Sequence, residues 1–217
     1  MIIHSLGEGN SLLNKFVAEI RDAKIQTDSM RFRRNIERIG EILGYELSKA
    51  LSYRSEEVHT PLGTKNMSLP DDDLVLCSVL RAGLPLHQGL LNYFDNAENA
   101  FISAFRHHRG EEDAFEVIVK YFAAPSLKNK TLILTDPMLA TGKTLENVLK
   151  ALKDHGKPRQ IHIVSVIGSQ SGIAHLKEVF PKNTQLWIAA IDFELNSKGY
   201  IIPGIGDAGD LAFGEKL

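Results

Sequence analysis

Apolar positions along this chain of 217 residues follow two patterns. In the first, they recur at three- and four-residue steps, the spacing of one helix face. Leu12, Leu13, Phe16 and Ile20 predict a short amphipathic helix over 12–20. Phe32, Ile36, Ile39, Leu43, Leu47 and Ala50 predict a longer one from Phe32 to about Leu51. In the second, they form unbroken runs of strand length: 74–80, 101–105, 117–122, the run opening at Thr131, 161–167 and 184–190. Runs without alternation suit strands covered on both faces. Helical spacing returns after several of them. One helix starts at Pro85 and runs through Leu90 and Leu91, proline being suited to a first turn. Another carries Leu145, Val148, Leu149 and Leu152 on to about His155. A short one, opened by Gly168-Ser169-Gln170-Ser171-Gly172, carries Ile173, Leu176 and Val179. This strand–helix order predicts an α/β fold, a Rossmann-like, mostly parallel sheet flanked by helices. No internal repeat or low-complexity linker divides the chain, so 1–217 is expected to be a single domain. Residues 52–73 are polar and turn-rich, broken at Pro61-Leu62-Gly63 and Leu69-Pro70-Asp71; they read either as a β-arm or as a long loop.

Composition narrows the classes. Apolar content of 43% and charged content of 24% are those of a soluble globular protein. A formal net charge of -2 argues against dedicated nucleic-acid binding, although it permits a small positive pocket. No apolar stretch suits a bilayer, and Glu8 and Asn10 interrupt any signal-like start, so a cytoplasmic protein is expected, with no membrane partner. The single cysteine, Cys77, cannot form an internal disulfide and reads as a buried small hydrophobe. His107 and His108 stand near Glu111, Glu112 and Asp113. Neighbours on an extended strand point to opposite faces, so they are poor joint chelators, and no metal-ligating residue is assigned.

The candidate chemistry gathers at strand ends. Thr131-Leu132-Ile133-Leu134-Thr135 leads through Asp136-Pro137-Met138-Leu139 into Ala140-Thr141-Gly142-Lys143-Thr144 and then a helix. Strand, small hydroxyl-rich loop and helix start place backbone N–H groups where an anion can sit. Gly142-Lys143-Thr144 looks like the end of a nucleoside-triphosphate P-loop, but that motif needs glycine where Pro137 stands. Arg81-Ala82-Gly83 follows the strand at 74–80, as an anion clamp would, and Arg106 follows the next strand. Arg31, Arg33, Arg34 and Arg38 lead the long helix. They are either a solvated basic face or include one that reaches a phosphate, in this subunit or a neighbour. The tail, Gly199-Tyr200-Ile201-Ile202-Pro203-Gly204-Ile205-Gly206-Asp207-Ala208-Gly209-Asp210, threads glycine and aspartate through an apolar loop, suited to reading a flat heterocycle by its edge.

Together these residues resemble the uracil phosphoribosyltransferase family. The resemblance rests on Asp136-Pro137-Met138-Leu139-Ala140-Thr141-Gly142, on the tail from Gly199 to Asp210 with Phe213-Gly214, and on Leu80-Arg81-Ala82-Gly83. It implies the type I phosphoribosyltransferase fold, with a C-terminal base-binding loop and a flexible β-hairpin lid, and transfer of the 5-phosphoribosyl group of phosphoribosyl pyrophosphate to uracil N1. By the same resemblance, Asp136 would hold the ribose hydroxyls and Ala140 to Thr144 would cradle the 5′-phosphate, within a binding loop that includes Pro137, Met138 and Leu139. Arg81 and Arg106 would meet the pyrophosphate. Tyr200, Ile201, Gly206 and Ala208 would bind uracil, with Asp207 near both substrates. Mg²⁺ would be held mainly by phosphoribosyl pyrophosphate oxygens, and a homodimer or larger homo-oligomer is implied. The charged stretch from Arg106 to Glu116 would be the lid. Lys143 departs from the family, standing where a second glycine is common; it would crowd the loop if the backbone there needs positive φ, or its ammonium would assist the phosphate, and a tolerated change is expected because Thr144 keeps the hydroxyl. Two other readings are weighed against the enzyme: a non-catalytic regulator that binds a nucleotide or phosphoribosyl pyrophosphate on the same fold, and transfer to a different base.

Overall fold

The structure, a computed structural model, describes residues 1–108 and 115–215, with backbone alone over 104–108 and 115–120. Strands β4 (Leu74–Leu80), β7 (Thr131–Thr135), β9 (Gln160–Ser169) and β10 (Gln185–Asp192) are buried almost throughout. With β1 (Ile2–Ser5), β5 (Glu98–His108) and β6 (Phe115–Ala123) they form one sheet in the order β1-β10-β9-β7-β4-β5-β6, and a two-residue strand, β8 (Met138–Leu139), lies beside β9. All pairings are parallel except β5 with β6.

Burial on both faces explains the unbroken apolar runs. Leu76, Ile133, Val164 and Trp187 face a core shared with α1 (Leu12–Arg21), α2 (Ser29–Ser48) and α3 (Leu84–Leu91). Val75, Cys77, Leu132, Leu134 and Ile163 face the opposite core, shared with α4 (Lys143–Ala151), its 3-10 continuation over 152–155, and α5 (Gln170–Val179). Cys77 has no exposed surface, and burial pushes its thiol up to about 12, which leaves it an inert packing residue.

Several boundaries differ from the sequence expectation. The long helix starts at Ser29 because the Asp28 carboxylate accepts the Arg31 N–H at 3.0 Å and caps it, one turn before the apolar stripe begins. It ends at Ser48; Leu51 remains buried because the chain continues in tight turns. Residues 52–73 form an arm: β2 (Tyr53–Thr60) and β3 (Gly63–Pro70) make an antiparallel hairpin, exposed almost everywhere. Strand β1 has no alternating pattern to betray it and is held by one neighbour, β10. Strand β5 runs on through His108, so Arg106 lies within it, opposite Val117, rather than beyond its end. Its pairing with β4 stops at Ser103, and only β6 accompanies it further. Of the expected lid over 106–116, residues 109–114 lie outside the described residues. Among the described residues no helix is long and apolar enough to cross a membrane.

Candidate active site

The chain leaves β7 at Asp136, which is 9% exposed. Its N–H donates to the Val164 carbonyl at 3.2 Å, and its Oδ1 accepts the Met138 N–H at 3.1 Å. The loop is more regular than the sequence suggested. The Pro137 carbonyl accepts from Val166 and Ile167, and Met138 and Leu139 then lie along β9. Gly142, at φ 77°, turns the chain into α4, a conformation that L-residues with a Cβ avoid. The first N–H groups of that helix therefore open into the loop formed by 140–142. Lys143 is the first residue of α4, and among the described non-glycine residues only Asn129 has positive φ. The positive-φ position is thus Gly142, and the condition under which Lys143 would crowd the loop is not met.

Helix α5 braces this loop from behind. Ser169 Oγ donates to the Ala140 carbonyl at 2.6 Å and accepts the Gly172 N–H at 2.9 Å. Gly172 presses on the same carbonyl so closely that a Cβ there would stand 2.1 Å from the Ala140 oxygen. The sequence reading gave Ser169 and Gly172 only a helix start. Farther along, Glu146 accepts from Lys150 at 2.6 Å and pairs with His175 at 2.8 Å; these two partners, Lys150 first, hold its carboxyl below the usual range.

Arg81 follows β4, whose Ser78 pairs with Thr135 of β7 and whose Leu80 pairs with Ser103 of β5. A Cβ on Gly83 would lie 2.5 Å from Ser78 Oγ and 3.2 Å from the Thr135 carbonyl, so the Arg81–Gly83 turn rests on the end of β7. The Arg81 guanidinium, about a third exposed, reaches the chain terminus. Nη2 donates to Asp210 Oδ1 at 2.7 Å and to the Gly214 carbonyl at 2.6 Å, while Nε is buried with no partner. Behind the turn, His87 meets Asn99 at 2.7 Å, and burial lowers its pKa. Arg106 is on β5, next to β4, and its backbone belongs to the same edge of the sheet.

The tail folds as a small hairpin, β11 (Glu194–Leu195) with β12 (Ile201–Ile202), followed by a short helix, α6 (Ala208–Phe213). That helix was not expected; Ala208 is its first residue and Asp207 its cap, accepting N–H groups of Gly209 and Asp210 at 2.8 and 3.0 Å. Ile201 and Ala208 are buried, and Tyr200 is 40% exposed. Gly206 sits at φ 84°, and a Cβ there would meet only the Leu211 side chain, at 3.9 Å. A cavity of about 520 Å³ lies between this loop and the end of α1, bordered by Arg21, Pro203, Gly204, Gly206 and Asp207 among others. Arg21, missed from the sequence, and Arg33, read there as a solvated face or a phosphate contact, act here. Arg21 bonds to Asp192 and to the Gly204 carbonyl, and Arg33 donates to the Ala212 carbonyl at 2.6 Å. Arg33 thus serves the fold of the tail. Arg31 pairs with Glu19, Arg34 with Glu37, and Arg38 donates to Asn35. The partners of Arg21 and Arg33 in the tail lie far off in sequence, and no local pattern signals those contacts.

The fold therefore brings Asp136, the 140–144 loop, Arg81 and Asp207–Asp210 to the carboxyl ends of β7 and β4. Among the described residues no three acidic, histidine or cysteine side chains converge on a common point.

A family model described as uracil phosphoribosyltransferase matches residues 8–215. A uracil phosphoribosyltransferase of Porphyromonas gingivalis is 52% identical over 216 residues, covering 100% of this chain and 99% of that protein. One from Thermococcus gammatolerans is 40% identical, covering 97% and 92%. Among solved structures, the AQ2163 protein of Aquifex aeolicus superposes with a TM-score of 0.87 at 31% identity, covering 98% of both chains.

Proposed function

The chain belongs to the uracil phosphoribosyltransferase family, and from that premise we propose which of its residues do the work. It is an enzyme of pyrimidine salvage: uracil and phosphoribosyl pyrophosphate give uridine 5′-monophosphate and diphosphate. The observation that carries the assignment of residues is the meeting of three separate segments at one sheet edge, where the Arg81–Gly83 turn rests on the end of β7 and Arg81 pairs with Asp210.

The loop at 140–144 holds the 5′-phosphate through the N–H groups that open α4, with the hydroxyls of Thr141 and Thr144 beside them. Pro137, Met138 and Leu139 line its approach. Asp136, already fixed by its own loop amide, takes the ribose hydroxyls. Arg81 and Arg106 receive the pyrophosphate as negative charge gathers on it. Tyr200, Ile201, Gly206 and Ala208 present uracil, N1 towards the anomeric carbon, and Asp207 stands between the substrates. Breaking the C1–O bond leaves an oxocarbenium-like centre, so preorganised donors at the two anionic ends of the sugar carry most of the catalysis. Mg²⁺ would be held mainly by phosphoribosyl pyrophosphate oxygens, and the cation would neutralise the leaving group. The hairpin of β5 and β6 would limit access of water. The cytoplasm is the expected setting. The exposed arm of β2 and β3, too thin to have a core of its own, supports assembly into a homodimer or larger oligomer.

The test is formation of uridine 5′-monophosphate from phosphoribosyl pyrophosphate, Mg²⁺ and uracil, against mixtures with no base, cytosine, orotate or hypoxanthine. Product with uracil alone is expected. Binding of phosphoribosyl pyrophosphate without turnover would instead favour the regulator, and turnover with hypoxanthine would overturn the base assignment.

A further inference from the structure

Arg21 ends α1, and nothing in the reaction as written uses it. Its guanidinium meets the Asp192 carboxylate through two parallel bonds, Nη1 to Oδ2 and Nη2 to Oδ1, each 2.8 Å. Nη1 also donates to the Gly204 carbonyl at 3.0 Å, and Asp192 Oδ2 accepts the Gly204 N–H at 2.9 Å. Both polar groups of one glycine are therefore held by a single ion pair. Gly204 is the pivot of the tail. It sits at φ 56°, and a Cβ on it would stand 2.1 Å from the Ile201 carbonyl, so the chain turns there as tightly as backbone allows. Gly206, Asp207 and Ala208 follow immediately, and Gly206 has no side chain of its own to anchor it.

Asp192 closes β10, where it pairs in register with Ser169 of β9, the residue that secures the Ala140 carbonyl. It is 7% exposed, and Arg21 is the cation paired with it. A fork-to-fork pair of this kind fixes direction as well as distance, which a single point charge does not. The geometry is thus rigid from the sheet, through Asp192 and Arg21, to the turn at Gly204.

We propose that Arg21 is a positioning residue for the base: together with Asp192 it sets the turn at Gly204 so that the loop from Ile205 to Ala208 meets the edge of uracil in one fixed register. This rests on the assignment of that loop to uracil. The effect of Arg21 passes through the backbone of Gly204.

The experiment compares the full-length protein with Arg21→Met, Arg21→Lys and Asp192→Asn. An ångström of misplacement can cost about 100-fold, so Arg21→Met is expected to raise the uracil KM by ~10- to 100-fold. The KM for phosphoribosyl pyrophosphate should hold within the error of the assay. Arg21→Lys should recover only part of the loss, and methylguanidine should restore activity to Arg21→Met. Hydrogen–deuterium exchange is measured on the same proteins without substrates; exchange should quicken over 199–207 and stay unchanged over 131–144. Equal rises in both KM values, an unmoved uracil KM, or unchanged exchange over 199–207 would each overturn the proposal. If Arg21→Met does not fold, Arg21→Lys and Asp192→Asn carry the same comparison. Failure of the wild-type protein to use uracil would refute the base assignment, while the exchange measurement would still decide whether Arg21 braces the loop.

Discussion

The loop at 136–144, to which we assign the phosphate, and the loop at 199–210, to which we assign the base, are held in different ways. The first hangs between a fully buried strand and the helix that follows it, and it is pinned by Ser169 and Gly172 from the next strand–helix unit. Its supports lie within about one βα repeat in sequence. The second has almost no local frame: a two-residue hairpin and a six-residue helix. It is held by Arg21, Arg33 and Arg81, each from a distant element, through ion pairs and carbonyl bonds. Hydrogen bonds from the next strand–helix unit hold the first loop, whereas the second adds polar contacts from distant elements to the burial of Ile201, Ile205 and Ala208. The difference suits their ligands. A phosphate is bound by any correctly aimed cluster of N–H groups, whereas discrimination between heterocycles needs backbone donors and acceptors set in one order.

Arg81 is where the distinction breaks down, because it serves the pyrophosphate in our assignment and ties the terminal helix in the structure. Arg81→Met should therefore damage both sides at once, lowering kcat/KM about 1000-fold and weakening both substrates in steady-state kinetics. A change confined to one substrate would separate the two roles.

The next test addresses the sheet that both loops share. His162 of β9 is fully buried, its Nδ1 accepts the Trp187 indole N–H at 3.0 Å, and burial lowers its pKa to about 4. The folded protein thus resists a proton that the unfolded chain takes up near the ordinary histidine pKa. This contribution is complete above the unfolded value and is lost as pH falls from about 6.5 to about 4, worth about 3 kcal/mol in all. Denaturant titrations across that range should show the loss, and His162→Gln should flatten it. Because β9 supports both loops, they should loosen together, as hydrogen exchange can report.

A smaller effect sharpens the contrast. Gly172→Ala pushes a methyl group against the Ala140 carbonyl, and a displacement of this order should raise the KM for phosphoribosyl pyrophosphate by up to about 100-fold. The uracil side has its own supports, so exchange over 199–207 should not change. This is the mirror image of the expectation for Arg21→Met.

How much of this was legible before folding depends on where the cause lies. The strand at 74–80 was read to its last residue, because seven nearly continuous apolar positions admit little else. The loop after β7 was read as an anion site from local order alone. Asp28 moved the start of α2 by one turn, since a single capping carboxylate outweighs the position of the first apolar residue. β8 and α6 escaped notice because two and six residues are too few to show a period. Ser169 and Gly172 were seen but given no role, as their target, the Ala140 carbonyl, lies 29 residues away from the hydroxyl that bonds it.

By itself, then, the sequence determined the alternation of buried strands and helices, the strand–loop–helix order through 131–151 and the membership that three ordered motifs carry. These depend on neighbours along the chain, where periodicity and turn chemistry act. Tertiary structure alone decided that 52–70 projects as an arm, that Lys143 opens a helix while Gly142 takes the strained turn, and that Arg21, Arg33 and Arg81 converge on the tail. The last of these turns on the pairing of a donor with an acceptor more than a hundred residues away. Neither residue carries a mark of the other until the sheet has set the distance between them.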